Sequence, residues 1–148
     1  TRPPPIRDCT RIPAQALAFS NAVHSTFANK RFFLRRLWSG ALLMVRNESR
    51  QGDRSHLTAF VSDDDGLTWS DGLLLDERES SYPDGSIATD GTIRVIYDHQ
   101  RYTENREGKK GSGSVLMAVF REEDVRASKK VSDIARWPIV ISQLQSAN

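Results

Sequence analysis

The chain is short of several things, and each shortage excludes a class of protein. It has one cysteine, Cys9, so neither an internal disulfide framework nor a cysteine-based zinc site can form. Its three histidines (His24, His56 and His99) are scattered singly, which argues against a metal site, and no cofactor motif stands elsewhere. Uninterrupted apolar runs stop at about half a dozen residues, far short of the ~20 that a helix needs to span a membrane. An excess of one charge is also missing: 21 Lys+Arg face 19 Asp+Glu, for a net +2, with both signs interspersed. The isoelectric point near 8.9 therefore rests on two charges and forms no basic stripe of the kind that binds nucleic acid. The first residue is Thr1, not methionine, and no charged-then-apolar leader follows it. The chain thus reads as a processed product, a recombinant segment or a piece of something longer.

What is present suits a folded chain with a real core: 148 residues, 38% of them hydrophobic and 27% charged. Residues 1–30 read as irregular. Pro3, Pro4 and Pro5 favour an extended entry, and Ala14–Phe27 holds enough apolar residues for a short helix. From residue 31 the pattern changes to strands: 31–37, 41–46, 56–62, 72–76, 86–89, 92–98, 114–120 and 138–142. Ser-Gly, Asp-Gly and Gly-rich punctuation separates these runs, which predicts antiparallel hairpins. The one helical turn predicted in this half is Glu122–Ala127.

An internal repeat orders the strands. Ser39-Gly40-Ala41-Leu42 matches Asp90-Gly91-Thr92-Ile93, 51 residues on, and Val45, Asn47 and Arg50 match Ile96, Asp98 and Arg101 at the same offset. A period near fifty with about four strands per unit marks a β-propeller blade. Two blades and part of a third fit into this length, which cannot close a ring of four to eight.

Residues 62–69 read Ser-Asp-Asp-Asp-Gly-Leu-Thr-Trp. They fill every fixed position of Ser-x-Asp-x-Gly-x-Thr-Trp, at Ser62, Asp64, Gly66, Thr68 and Trp69. This resembles the Asp-box, or bacterial neuraminidase repeat, of the sialidase superfamily. The box is structural: an aspartate accepts from turn amides, glycine takes positive φ, and tryptophan packs on the blade. The order of strands and turns over residues 31–125 looks like the C-terminal part of a sialidase domain. The resemblance implies an all-β fold made of antiparallel four-stranded blades of a six-bladed type, with about two to three blades in residues 31–148. It also favours an extracellular or periplasmic setting, with which a single cysteine is compatible.

Sialidases grip the substrate carboxylate with three arginines, use a tyrosine assisted by a glutamate as nucleophile, and use an aspartate as acid/base. A neutral phenol escapes the repulsion that a carboxylate nucleophile would meet at an anionic sugar. Arginine suits the clamp because its planar fork gives two parallel hydrogen bonds. By resemblance, Tyr82 takes the place of the nucleophile, after the Asp-box and before a strand closed by Tyr97-Asp98. Arg54 takes that of the third arginine. The bland reading of Tyr82 is a rim tyrosine leading into a Pro-Asp-Gly turn, and that of Arg54 a solvated loop arginine. Of Arg35 and Arg36, strand alternation lets only one face the cavity, and Arg36 is the expectation. Asp84 is either a ligand for a sugar hydroxyl or a turn cap.

The sequence also departs from the family. Pro83-Asp84 follows the tyrosine where serine is usual, and Asp98 stands where glutamate is usual. Glu48, Glu77 and Glu79 match no catalytic motif and read as surface residues. Arg11-Ile12-Pro13 matches the family's opening tripeptide but lies too far from the next strand, so it reads as coincidence.

The leading expectation is a portion of a sialidase-like glycoside hydrolase, acting on sialic acid or a related acidic sugar and not competent alone. The alternative is a non-catalytic propeller module that binds a glycan or a protein. A third reading is a remnant that self-associates through open blade edges.

Overall fold

The computed structural model describes residues 31–49, 53–99 and 113–143. The reading of residues 1–30 lies outside these. Eight strands and one short helix follow in order: β1 Phe33–Arg36, β2 Leu42–Asn47, β3 Leu57–Ser62, β4 Leu73–Asp76, β5 Ser80–Ile87, β6 Ile93–His99, β7 Ser114–Phe120, α1 Glu122–Ala127 and β8 Arg136–Gln143. They form two antiparallel four-stranded sheets, ordered β1-β2-β3-β4 and β5-β6-β7-β8. The fold is all-β, and the described residues form neither a closed barrel nor a closed ring.

The repeat read from the sequence reappears as geometry. In the β1–β2 turn, Leu37 N donates to Ala41 O (2.8 Å) and Gly40 N to Leu37 O (3.0 Å). In the β5–β6 turn, Ala88 N donates to Thr92 O (2.9 Å) and Gly91 N to Ala88 O (3.0 Å). Even the side-chain caps correspond: Ala41 N donates to Ser39 Oγ, and Thr92 N to Asp90 Oδ1. Gly40 and Gly91 take φ of +94° and +82°, a region closed to most side chains, which is why glycine punctuates both turns.

One core lies between the sheets. Phe33, Leu43, Val45, Leu57, Ala59, Val61, Leu73 and Leu75 of the first sheet meet Ile93, Val95, Tyr97, Leu116, Ala118 and Phe120 of the second, with Val125 of α1. Each set follows the period of two that sends alternate residues to one face.

Polar contacts tie the sheets at both ends. At one end the Trp38 indole N–H donates to Ala88 O (2.9 Å). At the other, the buried Tyr97 hydroxyl donates to Asp76 Oδ2 (3.2 Å), and Arg78 donates to both oxygens of the same carboxylate. Burial alone would raise the Asp76 pKa, but the hydrogen bonds from Arg78 hold it below its ordinary value. The Tyr97 phenol is pushed up by burial first and by the Asp76 charge second.

Residues 80–85 depart from the predicted strand pattern. Ser81-Tyr82-Pro83-Asp84-Gly85 reads as a turn, yet β5 runs through it. Ser81 pairs with Asp98 and Asp84 with Ile96, so the β5 side carries one extra residue, a β-bulge. The bulge absorbs the proline, whose missing N–H would otherwise cost a ladder hydrogen bond.

Candidate active site

The bulge delivers Tyr82. Its backbone sits at φ +54°, a left-handed conformation that costs a residue with a Cβ about 1–3 kcal/mol and persists only where its surroundings impose it. The restraints are visible on both sides. Ser81 Oγ donates to Asp98 Oδ1 across the strands (2.6 Å), and Pro83 is buried. Tyr82 lines a cleft beside β1.

Two guanidinium groups stand against its ring. The Arg31 Cζ lies 5.1 Å from the ring centroid and the Arg54 Cζ 5.3 Å, both within cation–π range. Arg54 belongs to the β2–β3 connection and is held there by backbone contacts. Its carbonyl accepts from Ser80 N (2.8 Å) and from the side chain of Asn47 (3.0 Å). Asn47, only 2% exposed, also donates to Ser80 O (3.1 Å). One buried amide thus fastens the Arg54 loop to the start of β5, two residues before Tyr82.

Beside Tyr82 opens a cleft of about 610 Å³ whose walls include Arg31, Phe32, Arg35, Pro83 and Asp84. Asp84 is exposed on its rim, with its Oδ1 accepting from Gly85 N (2.8 Å). The mouth therefore presents two arginines with a third alongside, arranged to attract an anion.

Of the residues singled out from sequence, Tyr82, Arg54 and Asp84 come together here. Arg36 does not. It lies at the far end of β1, where it donates to Gly40 O (2.7 Å) and to Asp65 Oδ1 (2.8 Å) in the Asp-box turn. Arg35 is the one that lines the cleft. Alternation does separate the pair, but the buried neighbour Phe33 sets the phase and puts Arg35 on the cleft side. Arg31 and Asn47 were not singled out from sequence. Asn47 stands out in the sequence only as the repeat position matching Asp98, and the partners of both residues lie on other elements.

The Asp-box turn joins β3 to β4 at the end away from Tyr82. Asp64 accepts from Ser62 Oγ (2.7 Å), Thr68 N (2.8 Å) and Thr68 Oγ1 (2.6 Å), while Gly66 N donates to Ser62 Oγ (2.8 Å). The Trp69 indole donates to Gly66 O (3.1 Å), and Gly66 takes φ +90°. The hydroxyl and amide of Thr68, then the Ser62 hydroxyl, bring the Asp64 carboxyl down to about 2.

Among the described residues, no three His, Cys, Asp or Glu side chains are placed to hold a metal ion. Among them, too, no helix is long and apolar enough to cross a membrane. Set against known proteins, the chain matches no family model, no curated protein and no solved structure.

Proposed function

We propose that the chain is a portion of a sialidase-like glycoside hydrolase, its two sheets being neighbouring blades of a six-bladed β-propeller. The substrate class is sialic acid or a related acidic sugar at a glycan terminus. The observation that carries this reading is Tyr82: a phenol on a strained bulge, with the Arg31 and Arg54 guanidiniums about 5 Å from its ring, at the mouth of a cleft that Arg35 also lines. In this reading the phenol is the nucleophile, and the arginines beside it hold an anionic sugar. Asp84 at the rim serves a sugar hydroxyl.

A second reading, a non-catalytic glycan-binding module, is favoured by Phe32. Phe32 is 58% exposed and lines the same cleft, where its ring offers an apolar platform for a pyranose face.

Titrating the chain with N-acetylneuraminic acid and with its neutral methyl ester tests the shared claim. Saturable binding of the acid is expected, with the ester and Arg54→Ala each weakening it about tenfold or more. Equal binding of acid and ester would remove the arginine clamp. Hydrolysis of a fluorogenic sialoside by the longer enzyme then separates the readings. Tyr82→Phe abolishes it if Tyr82 is the nucleophile, and unchanged rates would sink that role.

A further inference from the structure

The two halves of the repeat converge on Tyr82. Asn47 ends β2, and Asp98 holds the equivalent position 51 residues on, just before the end of β6. The offset is odd, and a strand alternates its faces with a period of two. Asn47 therefore continues the inward row of Leu43 and Val45, and Asp98 the outward row of Arg94 and Ile96. From these opposite faces both side chains reach β5, where they hold neighbouring residues. The Asn47 amide donates to Ser80 O (3.1 Å), and Asp98 Oδ1 accepts from Ser81 Oγ (2.6 Å). The next residue along the strand is Tyr82, at φ +54°.

The same Asn47 nitrogen donates to Arg54 O (3.0 Å), an oxygen that also accepts from Ser80 N (2.8 Å). Arg54 and Tyr82, whose side chains meet as guanidinium and ring, are thus held through their backbones by one buried amide. Asn47 and Ser81 share with Arg31, Arg54 and Tyr82 the walls of a cavity of about 10 Å³, and neither lines the large cleft. That cavity has room for about one water and none for a sugar. What the two repeat positions require is opposite. Both partners of Asn47 are carbonyl oxygens, so only an N–H can face them, whereas Ser81 Oγ needs an acceptor at position 98.

We infer that Asn47 and Asp98 are a pair of positioning residues, one acting as donor and the other as acceptor, that hold Arg54 against the left-handed Tyr82. With Tyr82 and Arg54 taken as the acidic-sugar site, as proposed above, neither positioning residue touches the sugar. Asn47 sets how well Arg54 is placed to grip the carboxylate, and Asp98 sets the lead-in to the phenol. The hold itself is a property of the free chain and is present before any ligand arrives.

NMR of the free chain, with titration by N-acetylneuraminic acid, tests this. The Tyr82 ring current shifts the Arg54 side-chain protons upfield in the wild-type chain. Asn47→Ala should return them most of the way to the values of an unstructured peptide, with the Leu43 and Val45 methyl signals in place. Asp98→Ala should move the Tyr82 ring signals, and Asp98→Asn, which keeps an acceptor for Ser81, should restore them. Asn47→Ala should also weaken binding of the acid about tenfold. Added to Arg54→Ala it should cost nothing more, because both changes act through one guanidinium. Arg54 signals that stay in place in a folded Asn47→Ala chain overturn the inference. So do binding losses that add, and so does an Asp98→Asn chain that behaves like Asp98→Ala. If Asn47→Ala does not fold, Asn47→Ser, whose single hydroxyl can serve only one of the two carbonyls, is judged by the same signals. A wild-type chain that ignores the acid removes the sialidase reading, while the Arg54 and Tyr82 shifts still decide the positioning roles.

Discussion

The connection from β3 to β4 and the one from β7 to β8 occupy equivalent places in the two sheets, and each is organised by a single aspartate in a different way. In the first, Asp64 gathers Ser62 and Thr68 into a tight turn, with every partner within four residues. In the second, Asp124 is completely buried in α1 and accepts from Arg121 N, Val131 N, Ser132 N and Ser132 Oγ at 2.7–2.8 Å. Burial would raise the Asp124 pKa, but those four donors, Ser132 foremost, hold it below its ordinary value. A carboxylate has about four acceptor sites, enough to organise an irregular link in either form. The compact version leaves a motif in the sequence. The dispersed version, with donors spread from Arg121 to Ser132, leaves none.

The sharpest way to break this comparison is Asp124→Ala. Four donors lose their acceptor inside the protein, so a loss of about 3 kcal/mol is expected, read as a lower urea midpoint. A change under about 1 kcal/mol would mean that water replaces the carboxylate. Next comes Gly72, which ends the Asp-box connection at φ +93°, where an added Cβ would sit 2.5 Å from Phe60 Cε1 and 2.8 Å from Thr58 Cγ2. Gly72→Ala should cost about 2 kcal/mol from backbone strain and overpacking together, again by urea midpoint.

A pH titration then separates the two aspartates. The folded Asp64 carboxyl titrates near 2, below its ordinary 3.8, so its ionised form stabilises the fold fully above about pH 4. That contribution fades as the pH falls from there through 2. Wild-type stability should drop steeply over this window, and Asp64→Asn should flatten the drop. An unchanged slope in the variant would assign the acid loss to Asp124 and the other depressed carboxylates.

The smallest effect belongs to the residue that joins the two connections. Arg126 of α1 makes a fork to both Asp63 oxygens (2.7 and 2.8 Å) and also bonds Glu122. These groups are exposed, so Arg126→Ala should lower stability slightly at low salt and not at all in 1 M NaCl. A loss that persists in high salt would show that the junction is more than electrostatic.

Much of the fold is legible in the sequence, because alternation and Ser-Gly or Asp-Gly punctuation are local signals. The strand at 114–120 and the helical turn at 122–127 fall where they are read. The start of β5 is not legible, because Pro83-Asp84-Gly85 carries the chemistry of a turn and only pairing with β6 turns it into a bulge. The site is less legible than the fold. Arg35 and Arg36 are equivalent by pattern until the burial of Phe33 sets the phase. Asn47 fastens Arg54 to Ser80 across two strands, a relation that no spacing encodes.

Trp38 gives the molecule a built-in gauge. The residue is 72% exposed, while its indole N–H is committed to Ala88 O in the β5–β6 turn of the other sheet. Sliding one sheet over the other would break that single bond and free the indole without disturbing either hairpin. A probe placed here is therefore blind to local fraying and sensitive to relative alignment. The two turns that carry the repeat thus also form the caliper by which the spacing of its halves can be read in solution.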